Sequence, residues 1–175
     1  MLGVIGGGGN GKMREWSCQQ TRDRAPAGFV LSGLSRVADF EEVLRTVEGS
    51  AAQLPPEKLR IALGGAWDDA QVRRLVGAGV DLVASSLPTD KAAAGIALAF
   101  PAPEVDLNEA RYLLDTAPID VECACYACRN HSRGYVHHLL ATKEMLATTL
   151  LTIHNTWRFV RLFRQLRQEL YAPKQ

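Results

Sequence analysis

Over the first hundred positions, apolar residues fall into short runs separated by amphipathic stretches. The runs LGVI (2–5), GFVLSGL (28–34), LRIALGG (59–65), VDLVASSL (80–87) and GIALAF (95–100) are almost continuously apolar, the pattern of strands buried on both faces. Between them, 11–24 reads as a helix of modest amphipathicity. Phe40, Val43, Leu44 and Val47 stand at i, i+3, i+4 and i+7, and a third helix runs from Asp68 or Asp69 through Leu75. Strands that alternate with helices predict an α/β fold with a parallel sheet. A closed (β/α)₈ barrel needs eight strands and typically ~250 residues. The pattern therefore predicts either a small open α/β sheet or the second half of such a barrel.

The texture changes after Pro101. PAPEVDLNEARYLLDTAPID is irregular with one short helix, a cysteine-rich stretch follows, and from Ser132 onward the chain reads as mostly helical. Leu139, Leu140, Met145, Leu146, Leu150, Leu151 and Ile153 form one predicted apolar face; Phe159, Leu162, Phe163, Leu166 and Leu170 form a second at helical spacing. Two parts are expected: 1–105, a partial (β/α) barrel, and 106–175, a metal-binding subdomain with C-terminal helices.

Composition narrows the function. The 175 residues are 47% hydrophobic and 22% charged with a formal net charge of +1, so no global field draws the chain onto nucleic acid and any RNA contact requires a local basic face. No apolar run reaches the ~18 residues a membrane span needs, and the charged stretch 1–24 lacks the apolar core of a signal peptide. A soluble, cytoplasmic protein without an integral membrane segment is expected.

Two stretches carry candidate chemistry. In GVIGGGGNGKM (3–13), the spacing of Gly6, Gly11 and Lys12 nearly completes a phosphate-binding loop. Met13 occupies the position of the Ser or Thr whose hydroxyl would hold Mg²⁺, and a thioether is a poor ligand for that hard cation. A strand-to-helix turn is the better reading. The second stretch, VECACYACRNHSRGYVHH, places Cys123, Cys125 and Cys128 within six residues. Three soft ligands so close favour Zn²⁺ or an iron–sulfur cluster over disulfides in a non-secreted chain. Spacing alone leaves the fourth ligand open among His131, His137, His138 and His154.

CACYAC and HSRGYVHHLLATKEMLATTLLTIHN resemble the zinc subdomain of the tRNA-guanine transglycosylases, enzymes that exchange guanine for queuine or its precursor in the anticodon loop. The resemblance extends upstream through AGFVLSGLS, LPPEKLRIALGGAWDD, GVDLVASSLPTD and LNEARYLLDTAPID. It implies the C-terminal half of a TIM-type (β/α)₈ barrel with a helical zinc subdomain. It also implies one Zn²⁺ per subunit, held by Cys123, Cys125, Cys128 and His154.

The same resemblance locates the chemistry. Catalytic members carry a D-x-F-D-x-x-x-P-T-R motif whose second Asp is the nucleophile; here the corresponding run is Asp81-Leu82-Val83-Ala84-Ser85-Ser86-Leu87-Pro88-Thr89-Asp90. The nucleophile position is Ala84, and a methyl group cannot form a covalent glycosyl intermediate. The Arg expected after Pro-Thr is Asp90, and the family's base-reading glutamine falls at Gly6. No catalytic residue is therefore expected. The pattern is similar to the family's non-catalytic accessory subunits, cytoplasmic or peripheral on the mitochondrial outer membrane, which form a heterodimer with a catalytic subunit acting at the tRNA wobble position. An active transglycosylase and a truncated zinc-bearing interaction module are the alternative readings.

Arg158, Arg161, Arg164 and Arg167 recur every three residues and are candidate tRNA backbone contacts, with a solvated helix face as the competing reading. His137 and His138 are expected at the surface or an interface. Tyr135 and Trp157 are expected in the core or at a subunit seam, and Cys18 as a plain half-buried thiol.

Overall fold

The computed structural model describes residues 1–37, 39–99 and 103–172. These form two compact units, Met1–Ser86 and Leu87–Gln175.

The first unit is built on a parallel sheet of β1 (Leu2–Ile5), β2 (Gly28–Leu31), β3 (Leu59–Leu63) and β4 (Leu82–Ala84), hydrogen-bonded in sequential order. Gly3 pairs with Phe29, Phe29 with Arg60, and Ala62 with Val83. The connecting helices are α1 (Gly11–Arg22), α2 (Phe40–Ala51) and α3 (Asp69–Gly77). Parallel strands laid down in sequence and joined by right-handed crossovers carry their helices on one face; here α1 touches α2 and α2 touches α3. A doubly wound sheet would reverse its strand order midway. Local chemistry starts the helices where expected. The Asp39 carboxylate accepts from the Glu42 N–H at 2.8 Å, and Asp68 with Gln71 forms a reciprocal capping box.

Ile5, Phe29, Leu31 and Ala62 are buried beneath the helices with Val43, Val47, Val72 and Leu75. The alternate side chains Leu2, Val4, Leu59, Leu63 and Leu82 are 40–58% exposed, because register brings them all to the opposite face of the sheet. An open apolar face is unusual for a parallel sheet, which is ordinarily covered on both sides.

The glycine tract is a strand-to-helix turn. Gly7 and Gly8 have φ of +123° and +55°, conformations that L side chains rarely adopt. Asn10 caps α1 through the Met13 N–H at 3.1 Å, and Lys12 is an exposed residue of that helix. Arg14, 3% exposed, donates from Nε to Gly8 O and from Nη2 to Ser32 O, both at 2.6 Å, tying the turn to the end of β2. Cys18 is fully buried.

The second unit holds α4 (Leu87–Ala93), β5 (Ile96–Ala97), β6 (Val105–Asp106), α5 (Tyr126–Asn130), α6 (Arg133–Ala141) and α7 (Met145–Tyr171). Two expectations change here. The run 80–87 was expected as one strand, but β4 ends at Ala84 and Leu87 already belongs to a helix. The run 95–100 does not join the parallel sheet; β5 pairs antiparallel with β6, Ile96 opposite Asp106, and Phe100 lies outside the described residues. Continuous apolarity reports burial, not partner strand. Both α4 and β5 pack on α7, so the textural boundary at 105/106 falls inside the second unit.

The core of this unit gathers Leu107, Tyr112, Ile119, Val136, Leu139, Leu150 and Leu151 around the cysteines. Of the predicted apolar faces, Leu139, Leu150, Leu151, Phe159, Leu162 and Leu166 are buried, while Met145, Leu146, Ile153 and Leu170 are exposed. Among the described residues no helix is long and apolar enough to cross a membrane.

Candidate metal centre

Three short pieces of backbone deliver the cysteines. Asp120 opens a turn in which its Oδ1 accepts from Glu122 N–H at 2.9 Å and its carbonyl from Cys123 N–H at 3.2 Å. Cys125 is the N-cap of α5, its Sγ accepting from the Cys128 N–H at 3.4 Å, so the cap itself aligns two of the sulfurs. The loop leading in is pinned by Arg133, whose Nε and Nη2 both donate to Ile119 O at 3.2 Å and whose Nη1 pairs with Asp115 at 3.3 Å.

The fourth member comes from α7. His154 has no exposed surface, and its Nδ1 lies 3.7 Å from Cys125 Sγ and 3.2 Å from Cys128 Sγ. Its Nε2 is 3.0 Å from Leu98 O. A carbonyl only accepts, so the ring proton sits on Nε2 and the Nδ1 lone pair faces the sulfurs. The ligand atoms of Cys123, Cys125, Cys128 and His154 all lie within 4.8 Å of one another. In a tetrahedral zinc site, bond lengths of ~2.3 Å to sulfur and ~2.0–2.1 Å to nitrogen separate ligand atoms by about 3.5–3.8 Å. The cluster therefore fits a single ion with little movement, and Cys₃His is a ligand set of structural zinc.

Packing three thiols together perturbs them unequally. The Cys125 thiol is pulled down to about 3, first by the hydrogen bond from the Cys128 thiol and then, against the cost of burial, by the Cys128 N–H. Burial pushes Cys123 up to about 11. Cys128 is raised as well, chiefly because its proton is held between its own sulfur and Cys125. One sulfur thus carries the negative charge and two keep protons that a cation would displace.

The three other histidines are elsewhere. His131 stacks on Tyr135 at 5.1 Å and meets the Tyr126 edge at 5.8 Å; His137 Nδ1 lies 2.8 Å from Leu107 O; His138 is exposed.

The arginine row does not form one face. Arg158 is 6% exposed and pairs with Asp120 at 3.2 Å; Arg161 is half-buried, over the Trp157 ring at 5.6 Å. Arg164 and Arg167 are exposed. A three-residue step turns a helix through ~300°, so the fourth residue has drifted by about 180° relative to the first. Arg158 is thereby removed from the basic face: it braces the turn that carries Cys123. Neither this pair nor Asn155, described below, was legible as functional from sequence. The available signal was only their spacing of one and four residues from His154.

In the first unit, Ala84 ends β4 paired with Leu63, and its carbonyl accepts from Gly64 N–H at 3.4 Å. Ser85 Oγ accepts from Trp67 N–H at 3.2 Å. Gly6 lines an open depression at the C-terminal ends of β1 to β3 together with Ser32, Gly33, Leu63 and Gly64. A Cβ at Gly6 would meet nothing within 4 Å, so the depression has room for a side chain at that position.

Similarity to known proteins extends over both units. A family model described as queuine tRNA-ribosyltransferase matches residues 1–173. The chain is 35% identical to the queuine tRNA-ribosyltransferase of Thiobacillus denitrificans, over 99% of this chain and 47% of that protein. It is 34% identical to queuine tRNA-ribosyltransferase accessory subunit 2 of Ixodes scapularis, over 96% of this chain and 48% of that protein. With its counterpart in Anopheles gambiae the identity is 36%, over 97% of this chain and 44% of that protein. The chain spans about half the length of the curated relatives it matches. With the family model matching nearly its whole length, the chain belongs to the queuine tRNA-ribosyltransferase family.

Proposed function

We propose that this chain is a non-catalytic, accessory-type member of its family, supporting the exchange of guanine for queuine at the tRNA wobble position by positioning tRNA and a catalytic subunit. The observation that carries this reading is Ala84 at the end of β4. The C-terminal end of a barrel strand is where such folds place reacting groups, and a methyl group supplies neither nucleophile nor base. Asp90 in place of the expected arginine adds a charge that repels a phosphate backbone. Meanwhile the Cys₃His cluster is complete. Architecture is retained where chemistry is not.

The sequential strand order and the open apolar face support the finer fold reading, in which the sheet of the first unit belongs to the C-terminal half of a (β/α)₈ barrel and the Cys₃His cluster of the second unit to a zinc subdomain. Further β/α units, from the same polypeptide or a second one, would close that face. Zinc, one per subunit, would be held by Cys123, Cys125, Cys128 and His154 and would supply a cross-link between the cysteine loop and α7 rather than chemistry. Arg161, Arg164 and Arg167 are the remaining candidates for tRNA contact, and the site of action is cytoplasmic.

Mixing the purified chain with a catalytic queuine tRNA-ribosyltransferase tests the reading. Co-elution as a heterodimer, with exchange of labelled guanine only in the mixture, is the expected result. Exchange by this chain alone would establish a catalytic member instead. Failure to bind either tRNA or the catalytic subunit would leave a zinc-bearing interaction module.

A further inference from the structure

The residue after the histidine ligand is unusually well used. Asn155 is fully buried, and its Oδ1 accepts from Leu98 N–H at 2.8 Å. Its Nδ2 donates to Pro88 O at 3.1 Å and to Ile96 O at 3.0 Å, so both amide protons are taken. His154 Nε2 donates to Leu98 O at 3.0 Å. Leu98 therefore has its N–H bound by Asn155 and its carbonyl by His154, as if two adjacent residues of α7 served as its neighbouring strand. All of these groups are buried or nearly so, where an unmade hydrogen bond costs its full desolvation penalty.

We propose that Asn155 is a positioning residue for the metal centre, holding the segment 96–98 so that the Leu98 carbonyl fixes the ring of His154, and that metal occupancy in turn orders this segment and the start of α4. The carbonyl orients the imidazole and sets its tautomer, and Asn155 sets the carbonyl. Outer partners of metal-binding histidines commonly tune affinity by about 10–100-fold. Because Asn155 acts one link further out, a change near the lower end is expected. The coupling runs both ways: an ion on Nδ1 holds the ring, the ring holds Leu98 O, and the strand end is stapled to α7. The inference rests on the Cys₃His cluster binding a metal and is independent of any role with tRNA.

Zinc affinity of the full chain, measured by chelator competition, is expected to fall about 10-fold in Asn155→Ala and by less in Asn155→Asp, which keeps the acceptor for Leu98 N–H. Leu166→Ala, a core truncation near the other end of α7, serves as the control for general destabilisation and should keep its affinity within about twofold. In cobalt-substituted protein, the visible d–d bands should shift in Asn155→Ala and not in Leu166→Ala. Hydrogen exchange should quicken at the amides of 96–98 when zinc is stripped from the unmutated chain. Equal zinc affinity and identical cobalt spectra in Asn155→Ala would overturn the proposal. So would unchanged exchange at 96–98 on metal removal. A chain that binds no zinc at all would overturn the metal reading together with it.

Discussion

At the residue scale, the candidate metal centre shows why three cysteines within six residues are not three equal ligands. Cys125 caps a helix and collects hydrogen bonds, so its sulfur is already charged, whereas Cys123 at about 11 and the raised Cys128 hold protons at neutral pH. Zinc must displace those two protons. Affinity therefore rises with pH and falls in acid, with about two protons released per ion between pH 6 and 8. Calorimetry of zinc binding in buffers of different ionisation enthalpy measures that number. Release of three protons would mean that Cys125 is not held as a thiolate. The cysteine cluster and its capacity to bind a metal were legible from sequence because ligand type and close spacing are local properties. The choice of His154 over three other histidines was not legible from spacing, since it depends on which helix crosses the cysteine loop.

At the scale of elements, α7 does most of the organising in the second unit. Within two turns it supplies His154, Asn155 and Arg158, which reach the cysteines, the segment 96–98 and the Asp120 turn respectively. Arg158 and Arg164 should consequently behave as different kinds of residue. Arg158→Ala leaves the Asp120 carboxylate without its buried partner, a change that typically costs about 3–5 kcal/mol for a fully buried pair and somewhat less at this partly wetted one. Thermal unfolding should show that loss. Charge reversal at exposed Arg164 and Arg167 should leave the melting temperature within a few degrees while weakening tRNA binding and flattening its salt dependence. Unaltered tRNA affinity at low salt would assign these two to a solvated face. Sequence periodicity grouped the four arginines because a three-residue repeat looks helical; the drift of about 60° per step separated them.

For the whole molecule, the main structural fact is the apolar sheet face presented by Leu2, Val4, Leu59, Leu63 and Leu82. Each side chain is about half exposed, so covering it contributes ~1 kcal/mol, and the set contributes ~5 kcal/mol. That is comparable with the net stability of a small domain, about 5–15 kcal/mol, and it is enough to make the face a strong association surface. The isolated chain should bind a hydrophobic dye and self-associate. Val4→Lys with Leu82→Lys should reduce both, as followed by fluorescence and light scattering, with little change in helix content. Dye binding that survives this double substitution would place the exposed surface elsewhere.

What the sequence determined by itself was local: short apolar strands alternating with helices, a glycine-rich turn with Met13 where a phosphate-binding loop carries its hydroxyl, and a cysteine loop able to bind a metal. Each is set by residues within a few positions of one another. Tertiary structure decided everything that depends on distant partners. It sent β5 to an antiparallel partner instead of the sheet, buried Arg158 against Asp120, selected His154, and bound Leu98 through Asn155. The last three outcomes turn on which surfaces α7 covers, and contacts between residues 26 to 57 positions apart leave no periodicity in the chain to read.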